Sequence, residues 1–273
     1  MGTNRTGSRR IGFGWLRAIT LVALAAASGY ADEPSPSPEE QARFIEAARD
    51  VAIGYSKSLP DFLCTQTVRR YVIGVNNVQK ALDALTVEVS FQNGSDRYQL
   101  TKVNGLPAGE ELLNQGGMQS SGEFGSNLLH VFGSNGEFHF VRWTTLNKRP
   151  AAVYSYRIPP SEKPYELRYW DSTHQRMLAA VVGLRGEVTL ERATHGVLRI
   201  QYIADAVPDS FPMTSSSTVD YDYTRLSDRT YLLPVTAVVR SMYERVEHRN
   251  NVEFRAYRKF STESQLTFDG PPN

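Results

Sequence analysis

The chain predicts an α+β fold, mainly antiparallel β, from three observations. Apolar and polar residues alternate over one segment after another, no helical pattern separates consecutive strands, and only two stretches show helical periodicity. Leu85, Val87, Val89 and Phe91 alternate with Thr86, Glu88, Ser90 and Gln92, the period of a half-buried strand. Asn93-Gly94 follows as a hairpin signal, and Tyr98 and Leu100 return on the partner strand. A second hairpin joins 138–145 to 151–158 across Asn147-Lys148. Further strands are expected at 62–73, 166–170, 177–184, 186–190, 197–203, 218–223, 231–246, 252–257 and 264–268, for roughly ten to twelve in all.

The first helix has a complete start signal: Ser37 as N-cap, Pro38 in the first turn and Glu40 three residues after the cap. Phe44, Ile45, Ala48, Val51, Ala52 and Tyr55 then recur at helical spacing up to Pro60, giving an apolar stripe that needs a flat partner. The second helix is short. In the stretch GGMQSSGEFG, Ser120 and Glu123 have capping-box spacing, and Phe124, Leu128, Leu129 and Phe132 share the face that follows. Gly133 closes it, and Gly116-Gly117 would act as a hinge if the helix were a flap.

Residues 1–31 have the layout of a secretory signal: Arg5, Arg9, Arg10 and Arg17, a short apolar core, then Gly29-Tyr30-Ala31 as a cleavage site. Cleavage near Ala31 implies a periplasmic or secreted protein. It would leave a polar linker over 32–37 and a single β-rich domain over 38–269. It would also remove four positive charges and no negative one, taking the net charge from +1 to −3. A mildly acidic chain does not suit nucleic acid or an anionic membrane surface. Cys64 is the only cysteine, so no internal disulfide forms, and its apolar neighbours make it a core residue.

Chemistry-bearing motifs are sparse. The glycines of GGMQSSGEFG lack the Gly-Lys-Ser/Thr of a phosphate loop, and neither serine has nucleophile-elbow spacing. The five histidines are scattered, so no metal and no cofactor is expected. His195 in Thr194-His195-Gly196 reads as a turn residue. Asp220 and Asp222 share a strand face, where two carboxylates could serve glycosidic chemistry or simply meet water.

The segment GEVTLERATHGVLRI, residues 186–200, resembles the paired strands around an acidic turn in the lipoprotein-carrier (LolA/LolB-like) superfamily, a hairpin shared by RseB-type sensor proteins. The closing segment from Val252 through Phe268 resembles the final hairpin of uncharacterised secreted bacterial proteins with that fold. The resemblance implies a curved, unclosed half-barrel whose concave apolar side is plugged by helices and receives acyl chains. It places no functional family residue on this chain.

The function that follows is an exported, non-enzymatic binding protein holding a lipid, acyl chain or lipoprotein, with peripheral contact to envelope membranes. Leu85, Val87, Val89 and Phe91, with Trp143, are the candidate ligand-lining residues. Phe124, Leu128 and Phe132 form the candidate plug or flap. Ordinary core packing explains the same residues equally well. The alternatives are an outer-membrane β-barrel and a secreted hydrolase using Asp220 and Asp222; charges on both faces of 240–249 and the non-aromatic chain end oppose the barrel.

Overall fold

The computed structural model describes residues 33–108, 122–171, 176–211, 213–243 and 245–260. The expected signal segment, Gly116-Gly117, Ser120 and the strand at 264–268 lie outside these residues. Helix α1 spans Pro38–Ser58 and opens on the expected capping box. Ser37 Oγ accepts from the Glu40 amide at 3.3 Å, and the Ser37 amide donates back to the Glu40 carboxylate at 2.8 Å. Ile45, Ala48, Ala52 and Tyr55 are buried, whereas Val51 stays exposed at the edge of the stripe.

Beneath α1 lies an antiparallel sheet of twelve strands: β1 (Phe62–Ile73), β2 (Gln79–Gln92), β3 (Ser95–Val103), β4 (Leu106–Pro107), β5 (Glu137–Leu146), β6 (Arg149–Ile158), β7 (Tyr165–Asp171), β8 (Arg176–Glu191), β9 (Val197–Asp205), β10 (Met213–Leu226), β11 (Arg229–Tyr243) and β12 (Val246–Lys259). The order is β4-β3-β2-β1-β12-β11-β10-β9-β8-β6-β5, with β7 paired to the first half of β8. Among the described residues the path ends at β4 and β5 and does not close, so the barrel alternative does not describe this sheet. Both expected hairpins form. Asn93 and Gly94 have φ of 51° and 76°, and Asn147 and Lys148 have 50° and 64°, the left-handed pairs that two-residue hairpin turns require.

Two expectations are corrected. The segments 177–184 and 186–190 are one strand, β8, whose first half pairs with β7 and whose second half lies between β6 and β9. Its glycines permit close approach instead of ending it. A Cβ on Gly186 would lie 1.8 Å from the Gln201 carbonyl oxygen on β9, and one on Gly183 2.5 Å from the Ile158 carbonyl oxygen.

The second helix, α2, is shorter than expected. It spans Ser126–Phe132 with Gly125 as N-cap and no side-chain cap. Gly122 and Gly125 have φ of 87° and 129°, which a right-handed helix cannot continue through. Glu123 is therefore in a turn ahead of the helix, with its carboxyl directed inward, and Leu129 faces solvent.

Cys64 is buried on β1, and burial pushes its thiol up to about 12. The close approach at Gly186 gives the first prediction. Gly186→Ala should cost about 1–3 kcal/mol through forced separation of β8 and β9. Urea unfolding of both proteins measures it, and unchanged stability would contradict the packing described.

Candidate functional site

The concave face is built by the period-of-two pattern of β1, β2 and β12. Leu85, Val87, Val89 and Phe91 all point inward and are at most 3% exposed. Phe91 stacks on Phe62 at 5.1 Å between ring centroids. Phe124 closes over both, at 5.3 Å from Phe62 and 6.2 Å from Phe91, and meets Phe254 of β12 edge-on at 5.6 Å. Leu128 and Phe132 follow on α2, fully buried, with Phe132 stacked on Phe138 of β5 at 5.4 Å. The β2 quartet and the plug residues thus meet in one apolar cluster.

Trp143 sits at the far flank, on β5. Its indole N–H donates to the Pro34 carbonyl at 3.0 Å, and the Arg192 guanidinium lies 4.0 Å over its ring. It packs against the edge of the same cluster but belongs to a separate corner, formed with Phe140 and the segment before α1.

Polar bonds hold the plug as well. Arg49 of α1 donates to the Phe132 carbonyl and, at 2.7 Å, to the Ser134 carbonyl. Lys163 donates to the Leu129 carbonyl at 3.1 Å, and Asn127 donates to the Tyr202 hydroxyl at 3.0 Å. Gly125 passes so close to α1 that a Cβ there would lie 2.8 Å from Ser56 Cβ.

Glu123 lies under this plug, completely buried. Its backbone carbonyl accepts from the Tyr221 hydroxyl at 2.9 Å. The Tyr98 hydroxyl lies 2.7 Å from Asp96 Oδ2 and 3.2 Å from Glu123 Oε2. Burial is the largest influence on the carboxyl and raises it to about 7, aided by the charge of Asp96 and opposed by hydrogen bonds from its own amide and from Tyr98. Sequence reasoning assigned this carboxyl to a helix cap. Its burial follows only from the two left-handed glycines beside it.

A second concavity of about 160 Å³ opens at the C-terminal end of α1, lined by Val51, Tyr55, Leu59, Thr194, Tyr223, Tyr231 and Leu232 among others. Beside it, the turn after β8 is organised by Glu191, which is 5% exposed. Thr194 and Tyr223 each donate to Glu191 Oε2 at 2.6 Å, and Arg149 Nη1 donates to Oε1 at 3.2 Å while its guanidinium covers the Tyr223 ring at 4.2 Å. Burial alone would raise the Glu191 carboxyl. The bonds from Thr194, Tyr223 and Arg149 outweigh it and hold the group below the ordinary 4.5. His195 is the left-handed residue of this turn, with φ of 58°, and its ring meets Phe44 edge-on at 4.7 Å.

Asp220 and Asp222 do not form an open carboxylate pair. Asp220 is tied to Arg199 and accepts from Thr236 at 3.2 Å, while Asp222 accepts from the Tyr223 amide at 2.8 Å and from Asn147 at 3.4 Å. Among the described residues, no group of three or more His, Cys, Asp or Glu converges as metal ligands.

The Glu191 network sets a pH dependence. A carboxyl held low in the folded state contributes stability above about pH 4.5 that is lost as the pH falls through its folded value. Glu191→Gln should cost about 1.5–3 kcal/mol at pH 7, the range for hydrogen bonds to a charged group, and should remove part of the acid sensitivity. Urea midpoints at pH 7 and pH 4 test both effects. An equal loss at both pH values would mean that the charge is not what the network holds.

No protein-family model matches this chain, and no curated protein matches it. Three solved structures are similar to it. One is a LolA superfamily protein from Nitrosomonas europaea, at 8% identity and a TM-score of 0.38, covering 84% of this chain and 97% of that one. Another is a domain described as an outer membrane lipoprotein-sorting protein from Vibrio parahaemolyticus, at 12% identity and a TM-score of 0.36, covering 80% and 92%. The third is a DUF1329 family protein from Desulfovibrio piger, at 9% identity and a TM-score of 0.40, covering 82% and 97%. At these identities and TM-scores none of them matches a residue of this chain to a functional one.

Proposed function

We propose that this chain is an exported, non-enzymatic binding protein that receives an acyl chain, from a lipid or a lipoprotein, on the concave face of its sheet. One observation carries the reading: part of the apolar face of an unclosed sheet, beside α1, is covered by a seven-residue helix between glycines and not by a second sheet. The resemblance of the 186–200 hairpin to lipoprotein carriers supplies the ligand class. In this reading Leu85, Val87, Val89 and Phe91 line the bound chain, Trp143 lies at its far flank, and Phe124, Leu128 and Phe132 move aside to admit it.

Magnitudes set the ligand's length. Exposing three large apolar side chains costs roughly 1.5–3 kcal/mol each, or roughly 5–9 kcal/mol together. Each buried methylene of a ligand returns ~0.8 kcal/mol, so about ten methylenes are needed before the exchange is favourable. Long acyl chains therefore bind and short ones do not.

Detergent-free native mass spectrometry of the mature protein, with uptake of fluorescent fatty acids of about sixteen and about eight carbons, tests the proposal. Purified protein should retain lipid or take up the longer probe only. Arg49→Ala, which frees the Phe132 carbonyl at the end of α2 and the Ser134 carbonyl just after it, should speed uptake severalfold. Protein that carries no lipid and takes up neither probe, as wild type or variant, ends the acyl-binding reading.

A further inference from the structure

The inner row of β1 is not uniformly apolar. Alternation turns Phe62, Cys64, Gln66, Val68 and Arg70 to the concave side, and all five are at most 9% exposed. Register places Gln66 between Val87 of β2 and Phe254 of β12. Phe254 is the ring that meets Phe124 edge-on, so Gln66 belongs to the floor that the Phe124 turn covers.

Gln66 is 1% exposed, and its amide nitrogen is buried with no hydrogen-bond partner among the described residues. That nitrogen carries two N–H donors. Leaving donors unmatched away from water is costly, and native cores keep few such groups. Methionine has nearly the same shape and would fill the position without that cost. A neutral donor set in an apolar floor is matched by an acceptor that an occupant brings with it. A carbonyl oxygen suits it best, because it accepts through two lone pairs and buries no charge.

The two ends of the row set a direction. Toward one end Phe62 stacks on Phe91 beneath Phe124. Toward the other, Arg70 meets Asp83. Phe62 and Arg70 each lie four residues from Gln66, or about 13 Å along an extended strand.

We infer that Gln66 recognises the carbonyl of a long-chain ester or amide: its amide donates to the acyl oxygen, the hydrocarbon runs toward Phe62, Phe91 and Phe124, and the remainder of the ligand lies toward the Arg70–Asp83 end. The inference rests on the acyl-binding reading and adds what the face selects, acyl compounds over plain hydrocarbon of the same length.

Displacement of a bound fluorescent long-chain fatty acid tests it, with a fatty-acid methyl ester and the alkane of equal chain length as competitors. Both competitors bury about the same hydrocarbon, so their difference isolates the carbonyl. Wild type should favour the ester roughly tenfold, the range of a hydrogen bond to an otherwise unmatched donor. Gln66→Met should lose this preference by binding the ester more weakly and the alkane no less well. Urea unfolding without ligand adds a second readout. Gln66→Met, and Gln66→Leu beside it, should be as stable as wild type or more so, since each removes an unmatched donor. Equal displacement by ester and alkane in the wild type, or an ester preference kept by Gln66→Met, overturns the inference. A loss of stability in both variants overturns it too, because the amide would then be bonded already in the closed protein. Failure of the fluorescent acid to bind at all counts against the acyl-binding reading, whereas binding without ester preference counts against the role of Gln66 alone.

Discussion

An antiparallel sheet that curves without closing has an apolar face with nothing of its own to pack against, and most of this molecule is arranged around covering that face. A closed barrel fills its interior with its own side chains, and a sandwich supplies a second sheet. Here the cover comes from α1 and from the short segment that ends in α2. The longer helix is fastened at both ends: by the Ser37–Glu40 capping box at its start, and by the Tyr55 hydroxyl, which donates to the Leu232 carbonyl at 2.7 Å. Tyr55 also meets Tyr221 edge-on at 6.0 Å, which ties the helix to the middle of the sheet. The shorter helix is held by bonds from Arg49 and Lys163 to carbonyls at its end and by Asn127 on Tyr202. A seven-residue helix is not stable alone, so packing and a few hydrogen bonds to its carbonyls keep it formed. The two covers therefore differ in length and in how they are held.

The opposite face follows a different rule. Arg69–Glu253–Arg255, Arg258–Glu88 and Arg240–Glu247–Arg249 form ion pairs on and between β1, β2, β11 and β12. Exposed pairs of this kind are worth about 0–1 kcal/mol each, too little to hold the sheet together. Their effect is on register, because a slip of one residue would bury this row of charges and expose the apolar one. Arg70 and Asp83 are the exception, since they lie on the inward side of β1 and β2 with Val68 and Leu85 and meet there through two contacts of 2.6 and 2.5 Å.

What could be read from the chain alone follows the distance between partners. The Ser37–Glu40 cap and the turns at Asn93-Gly94 and Asn147-Lys148 are local, and each forms as its residues require. The alternation along β2 identified the buried quartet, because side-chain period in a strand depends only on the backbone. Glu191 was not legible. Its partners are 3, 32 and 42 residues away, and only the folded sheet brings them together. The division of β8 was misread for a related reason. Gly183 and Gly186 resemble strand ends locally, yet their missing side chains make room for backbone from β6 and β9.

Glu123 is the instructive failure. Ser120 and Glu123 have the spacing of a helix cap, and local preference alone would have placed the carboxylate at the surface. Two glycines with φ of 87° and 129° instead turn the chain inward and put an ionisable group among tyrosines. A buried carboxyl costs several kcal/mol when charged, and a glutamine of the same shape could make a neutral hydrogen bond to Tyr98 at any pH. An acid at this position sets an ionisable group among the side chains that the Phe124 turn covers. Where local rules and final structure disagree, as at Glu123, backbone conformation and contacts distant in sequence decide the outcome.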